Sequence, residues 1–441
     1  MRSGFEWSRE HVERRVAEPL ETQAQVPSAS ANAVNPKHVC VLGAGIVGLA
    51  TAWQLQREGH HVSVLERHVP GHGASGGNGA QLSYSYVQPL ADPSIWRQLP
   101  KLLLSPDSPM KMRPALDLAQ WRWGLAFLRA CRTDASRETT ARLLALSAQS
   151  REGFEQMMAD VAPTCDFSRS GKLVLYDNTA ALAVVARQIE LQRKLGGSLQ
   201  RLLTADECVA LEPALCSYRH QIAGAVHTPS ECAADCLKLC TELQATMAQR
   251  GVVFRLGVEV QGFVRDGERL AAVDTSAGRF EADTFVLALG SASPLLTRQM
   301  KIHLPVYPLK GYSITVDIEG APDSAPTLSI TDNARKVVFA RIGSRLRVAG
   351  MAELVGNDPR IPNGRIEALE AATRAIFPHA SRFVDLRPWT GMRPATPTGR
   401  PIVGRLPGAP DNLLFNTGHG ALGFTLAFGS AMRIAQIIAA A

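Results

Sequence analysis

No apolar run in this chain approaches the ~20 residues that a helix needs to cross a bilayer; the longest, near residues 282–290 and 434–441, fall well short. The first 36 residues, "MRSGFEWSREHVERRVAEPLETQAQVPSASANAVNP", have no apolar stretch of the kind a secretory signal carries. Their mixed acids and arginines also read poorly as an organelle transit peptide. They read as a short charged helix followed by a flexible linker, and a cytoplasmic location is expected. Excess charge is equally scarce. The 47 Lys and Arg against 40 Asp and Glu leave a net charge of +7, which suits an anionic substrate or an anionic membrane surface and is too weak for nucleic acid. The 8 cysteines contain no CxxC pair and no histidine at ligand spacing. That excludes a disulfide framework and argues against zinc. Cys232, Cys236 and Cys240, spaced i, i+4, i+8, are expected on one buried helix face, where free cysteine packs as a small hydrophobe, and no metal site is expected.

What is present describes a folded protein of more than one part. Hydrophobic residues make up 46% of the chain and charged ones 20%, and 441 residues exceed what one core usually supports. From residue 38 the pattern is strand, turn, helix, strand: "HVCVL", "GAGIVG", "LATAWQLQREG", "HVSVLE". Gly43, Gly45 and Gly48 form G-x-G-x-x-G. The first permits a tight turn, the second lets the backbone approach a pyrophosphate, and the third allows helix and strand to pack closely. The helix N-terminus then faces the phosphate charge. Glu66, closing the second strand, stands at the distance that holds ribose hydroxyls. These features together specify an adenine dinucleotide.

NAD and FAD both satisfy that much. The chain next runs "RHVPGHGASGGNGAQLSYSY", a small-residue loop with Ser75, Asn78 and Gln81 that suits an extended ligand better than a direct passage into another helix. Later, "DTFVLALGS" is an apolar strand entering a turn at Gly290, after strands with turns at "DGER" and "SAGR". Near the C-terminus "FNTGHGALGFT" supplies Gly418, Gly420 and Gly423 just before the last helix. If both glycine turns touch one ligand, that ligand is long and the fold unites the chain ends. The loop after Glu66 and the turn at Gly290 favour FAD.

From about residue 38 to the end, the chain resembles the amino-acid oxidase and glycine oxidase superfamily, and within it the bacterial D-amino acid dehydrogenases of small-subunit type. The resemblance is carried by "NGAQLS", "PVYPLKGYS", "RLRVAGMAELVG", "WTGMRPATPTGRPIVG" and "NTGHGALGFT". It implies an α/β fold: a Rossmann-like FAD-binding domain over 37–95, 225–305 and 390–441, with helices on both faces of a parallel sheet. A second, α+β substrate domain over 96–224 and 306–389 is implied on a mainly antiparallel sheet holding "GKLVLY", "GYSITVDI", "KVVFARI" and "RLRVAGMAE". Arg67 and Val260 join the glycines, Glu66, Ser75, Asn78, Gln81 and His419 as residues expected around a non-covalent FAD. The "TGHG" turn is expected to bring backbone amides to the pyrimidine end of the flavin ring, with His419 there for geometry.

The resemblance further implies oxidative deamination of a D-amino acid to a 2-oxo acid and ammonia, by hydride transfer from Cα to flavin N5. Arg393 in "WTGMRP" matches the residue that binds the substrate carboxylate, a task suited to a planar guanidinium. Tyr312 and Tyr86 are candidates for hydroxyl contacts to the same carboxylate. Electrons would pass to a quinone or an artificial acceptor. Residues 94–137, with Trp96, Trp121, Trp123, Phe127 and eight Lys/Arg against three Asp, suit peripheral contact with the inner membrane face. Alternatives are oxidation of another amine, such as glycine, proline, hydroxyproline or sarcosine, and a flavin-binding interaction protein without turnover. Two departures stand out. "NGAQLS" reverses the expected order of its small residues, and Thr398 replaces the usual aspartate.

Overall fold

The computed structural model describes residues 35–93, 95–96, 110–194, 199–318 and 320–441. The expected N-terminal helix and linker lie almost wholly outside these residues. Pro36–Ala441 pack as one unit.

The short apolar runs near the start become buried strands because both their faces are covered. Among the described residues, six strands form one sheet in the order Ile402–Gly404, Leu413–Thr417, Thr284–Leu287, His38–Leu42, His61–Glu66, Val253–Leu256. All neighbours run parallel except the pair Ile402–Gly404 and Leu413–Thr417. One face packs Val39, Val41, Val64 and Val286 against the helices Ile46–Arg57, Cys236–Gln249 and Gly423–Ala439. Helices were expected on the other face too. Instead Cys40, Leu42, Leu65, Phe285 and Phe415 meet Val260, Leu270 and Val273, from the antiparallel meander Val260–Asp266, Arg269–Thr275, Gly278–Glu281. A meander buries the same apolar row with its own alternate residues.

Two other expectations change. Cys232 is not on the cysteine helix: Asp235 caps that helix, accepting from the N–H groups of Leu237 and Lys238, and Cys232 belongs to a short strand paired with Gln81–Leu82. All three cysteines are buried in the same core. Gly420–Ala439 does form a segment long and apolar enough by composition to cross a membrane, although 61% of it is buried. Its apolarity is explained by packing on Trp53, Phe154 and Leu146.

The second large sheet is mainly antiparallel. Its order is Arg387–Ala395, Tyr307–Asp317, Arg345–Leu354, Val337–Ile342, Ser329–Asp332, Lys172–Tyr176, Gly224–Thr228, Arg201–Leu203, with Met110–Met112 pairing on Arg345–Leu354. Alternation along the strands gives it two unlike faces. Leu173, Tyr312, Ile314, Ile330, Phe339 and Val348 fill an apolar core with Leu369 and Ile376 of the helix Asn363–Ile376. The opposite face bears Arg393, Gly311, Ser313, Arg347 and Lys172. The loop 75–86 crosses this polar face: Ser313 donates to Gly77 O at 2.7 Å, Arg347 to Asn78 O at 3.0 Å, and Gln81 to Ile330 O and Phe339 O at 3.2 and 3.0 Å.

Candidate active site

Three of the glycine turns emerge side by side. Gly43, Gly290 and Gly418 follow the carboxyl ends of three neighbouring parallel strands, His38–Leu42, Thr284–Leu287 and Leu413–Thr417. Ligands of open α/β sheets bind at this edge. Each of the three glycines has a positive φ, +108°, +57° and +80°, which a side chain would resist. At Gly43 a β-carbon would also fall 2.7 Å from Ala288 O, and at Gly48 it would collide with Gly43 O. Gly45 differs: the nearest atom to a β-carbon there is Ser75 Oγ, at 3.6 Å. The protein leaves that space open, as close approach of a pyrophosphate requires. The helix Ile46–Arg57 has no side-chain cap and no acid in its first turn, so its N-terminal amides suit phosphate. The residues present therefore fit FAD.

Glu66 is pinned beside this cradle, accepting from the N–H of Ala44 at 2.8 Å and of His68 at 3.0 Å. Arg67 is solvent-exposed and pairs with Glu259 at 3.4 Å. Val260 is buried next to it at the start of the meander, which Val258 N–H ties to Glu66 O at 3.0 Å. Ser75 Oγ accepts from Ile46 N–H at 3.1 Å. Asn78 accepts from Ala80 N–H at 3.0 Å, and the Gln81 side chain is committed to Ile330, Phe339 and Lys172. Both side chains hold their loop on the polar face of the second sheet.

The turn 418–423 joins the two sheets. His419 bridges to Ala395, at the end of the Arg393 strand. Its Nε2 lies 2.8 Å from Ser430 Oγ, whose own hydrogen goes to Leu426 O at 2.9 Å. Nε2 must therefore donate. Burial pushes the pKa down to about 3, so His419 is a poor proton acceptor and serves geometry. A β-carbon at Gly418 would fall 2.7 Å from Thr396 Cγ2, while Gly420 has φ +57° and Gly423 opens the last helix. Thr398 accepts from Arg400 N–H at 3.2 Å, holding its turn as an aspartate side chain can.

Arg393 is a half-buried cation with no acidic partner among the described residues. Nη1 donates to Met351 O at 2.7 Å, and burial pushes the pKa down to about 10, leaving the group charged at neutral pH. Met351 sits at a register shift between Tyr307–Asp317 and Arg345–Leu354, with φ +61°. Such a bulge re-aims backbone groups, here a carbonyl toward the guanidinium. The guanidinium lies over Gly311, where a β-carbon would collide with it. On the same strand face, the Trp389 ring covers Gly391 and Gly77. Sequence reasoning missed Gly311, Met351 and Trp389, although Gly311 and Trp389 fall within the quoted "LKGYS" and "WTGMRP".

Neither tyrosine joins Arg393. Leu309 pairs with Arg393 and Tyr312 with Thr390, so alternation sends Tyr312 to the opposite, apolar face. There its hydroxyl donates to Glu353 at 2.6 Å, and Glu353 pairs with Arg365 at 2.5 Å. Tyr86 packs on Val174 and Tyr176, five strands across the sheet from the Arg393 strand, at about 4.8 Å per strand. The expectation that these hydroxyls meet one carboxylate is corrected on both counts.

Residues 38–437 match the model of the family described as FAD dependent oxidoreductase. The chain belongs to that family. It is 47% identical over 412 residues to D-amino acid dehydrogenase 2 of Ralstonia nicotianae, covering 91% of this chain and 96% of the relative. It is 44% identical over 405 residues to D-amino acid dehydrogenase 2 of Pseudomonas aeruginosa, covering 91% and 95%. Among solved structures, glycine oxidase from Geobacillus kaustophilus superposes with a TM-score of 0.72 at 20% identity, covering 91% of this chain and 94% of that one. L-proline dehydrogenase from P. horikoshii gives 0.70 at 18%, covering 91% and 93%. The shared fold is that of FAD-dependent oxidoreductases, and FAD is this protein's cofactor.

Proposed function

We propose that this FAD-dependent oxidoreductase oxidises D-amino acids to imino acids, which water hydrolyses to 2-oxo acids and ammonia, and hands the electrons to a quinone. The names of its relatives over nine-tenths of their length support the substrate class. The single observation that carries the site is Arg393, a half-buried arginine with no acidic partner among the described residues and with unspent donors on the polar face of the second sheet. A substrate carboxylate supplies the charge it lacks, and a bidentate contact fixes the orientation of Cα. Bound FAD supplies a two-electron acceptor for the hydride leaving Cα. Met351 O and Gly311 hold the guanidinium in place. Trp389 walls the same face and limits water there. His419, neutral and donating to Ser430, keeps the 418–423 turn rigid without taking a proton.

In this reading the expected boundaries at 225 and 390 move, because Gly224–Thr228 and Arg387–Ala395 belong to the second sheet: the FAD-binding part comprises 37–95, 229–305 and 396–441, and the substrate part 96–228 and 306–395. An anaerobic panel of D- and L-amino acids, glycine, proline, hydroxyproline and sarcosine, followed by flavin absorbance, tests the proposal. D-amino acids should bleach the flavin. Bleaching by glycine, proline or sarcosine alone would reassign the substrate, and no bleaching by any amine would leave a flavoprotein without this turnover.

Reduction of a quinone requires access to a membrane. The helix Leu118–Ala130 supports such contact: Leu118, Trp121 and Leu125 are exposed along one side, with exposed Leu116, Arg113, Arg122 and Arg129 nearby. Trp123 faces the other way, buried, and donates to Ala395 O at 2.8 Å. It serves the fold, and Phe127 stacks on it at 5.3 Å. Trp96 is exposed, and residues 94 and 97–109 of the expected membrane segment lie outside the described residues.

A further inference from the structure

Lys172 is a second cation without an acidic partner at ion-pair distance among the described residues, and it is buried. It opens the strand Lys172–Tyr176, and 3% of its surface is exposed. Its ammonium donates to Gln81 Oε1 and Ser83 Oγ, each at 2.8 Å, and lies 4.4 Å from the centre of the Tyr86 ring. The Glu231 carboxylate acts on it only through space. That carboxylate is taken up by the N–H groups of Ser85, at 2.9 Å, and Tyr84, and by Arg151 at 3.9 Å. Burial lowers the lysine pKa to about 8, so the group is still a cation at neutral pH. Glu231 offsets this buried charge only through space, and an anion closer to the ammonium would lower the cost of keeping it there.

The surroundings of Lys172 indicate which anion. Ser83, which accepts from Lys172, donates its own N–H to Thr425 Oγ1 at 3.1 Å. Thr425 stands in the first turn of Gly423–Ala439, directly after the 418–423 glycine turn. Gln81 and Ser83 belong to the loop that includes Ser75, whose hydroxyl is fixed at the pyrophosphate cradle. The strand that carries Arg393 meets the same glycine turn through the Ala395–His419 bridge. The positive N-terminal end of the last helix adds potential of the same sign. Hydride transfer carries two electrons and one proton, so a neutral oxidised flavin becomes negatively charged on reduction.

We propose that Lys172 is a tuning cation for the flavin: held by Gln81 and Ser83, its ammonium stabilises the negative charge of reduced FAD and raises the reduction potential. This rests on FAD binding and is independent of which amine is oxidised. Gln81 then acts through Lys172, as a positioning residue.

The test compares the FAD-loaded wild type with Lys172→Met, Lys172→Arg and Gln81→Glu. Reduction potential is read by equilibration with a redox dye, and affinity for sulfite, an anionic flavin probe, by absorbance. Lys172→Met should lower the reduced-to-oxidised ratio at a fixed dye potential about tenfold, equivalent to about 30 mV for a two-electron couple. It should weaken sulfite binding by a similar factor. Lys172→Arg should stay within about threefold of wild type on the same ratio scale. Gln81→Glu, which sets a carboxylate against the ammonium, should shift both readouts in the direction of Lys172→Met. Unchanged potential and sulfite affinity in flavin-replete Lys172→Met overturns the proposal. If that variant holds no flavin, unchanged values in Gln81→Glu do so. Loss of flavin from both would make the lysine a structural strut and overturn it as well. Sulfite and dye need no amino acid, so failure here leaves the substrate reading intact.

Discussion

The Arg393 guanidinium rests against Gly311, in the space that a side chain at 311 would fill. The two residues lie on adjacent antiparallel strands, and the missing side chain lets a long cation lie flat on the sheet. Met351 O holds one end.

Three substitutions test that arrangement. Removing one partner of a buried charge pair costs about 3–5 kcal/mol, so Arg393→Ala should lower kcat/KM for a D-amino acid by roughly a hundredfold or more. Arg393→Lys should recover part of this, because a point charge cannot make the bidentate contact. Gly311→Ala should lower kcat/KM at least about tenfold by displacing the guanidinium. All three should keep full FAD, measured by absorbance. Near-normal kcat/KM in flavin-replete Arg393→Ala would place the carboxylate site elsewhere.

Acid should destabilise the protein through His419. The unfolded histidine titrates near ~6.5, whereas the folded one is held down to about 3 by burial. Between these values the unfolded chain binds a proton that the native state refuses, so stability falls as pH falls through this window. The full effect is on the order of 4 kcal/mol. His419→Gln retains a donor for Ser430 and cannot ionise. Its loss of stability between pH 7 and pH 4.5 should be smaller than that of wild type by roughly 2 kcal/mol, measured by urea unfolding of the holoenzyme. Parallel pH profiles for the two proteins would refute this role.

The reversed order of small residues in "NGAQLS" has a steric cause. A β-carbon on Gly79 would come within 2.9 Å of Val338 Cγ2, so glycine is required there, and Ala80 takes the left-handed turn at φ +58°. That conformation costs an L-residue about 1–2 kcal/mol. Ala80→Gly should stabilise the holoenzyme by about 0.5–1 kcal/mol after the entropy of the added glycine is deducted, and Gly79→Ala should destabilise it. Thermal melts with matched FAD content give both signs.

Flavin should leave with acid. None of the cysteines lies in 75–81, 389–396 or 417–423, and the His419 ring is engaged with Ser430. Precipitation with acid should send all the yellow colour to the supernatant. Colour retained in a washed pellet would mean a covalent link.

Liposome flotation at low and high salt tests the Leu118–Ala130 surface. Binding to anionic vesicles should weaken with salt and fall in Trp121→Ser/Leu125→Ser, while kcat with a soluble acceptor stays at the wild-type level. Equal flotation of wild type and variant, or none at all, would remove this helix from the membrane.

Much of this protein is legible along the chain because it depends on local chemistry. Gly43, Gly45 and Gly48 specify a cradle through backbone conformation, and "HVCVL" and "HVSVLE" mark buried strands by apolar content alone. Arg393 and the 418–423 turn are readable as motif. What only the tertiary structure decided is which side chains share a space. Tyr312 and Arg393 look equivalent in one dimension, yet strand pairing sets them on opposite faces of one sheet. Lys172 carries no motif at all. Its setting, with no acid at ion-pair distance among the described residues, arises when residues distant in sequence, Gln81, Ser83 and Tyr86, close around it. Backbone preferences act over a few neighbours and leave a mark in the sequence, whereas the face, register and desolvation of a charge are set by contacts between segments far apart in the chain.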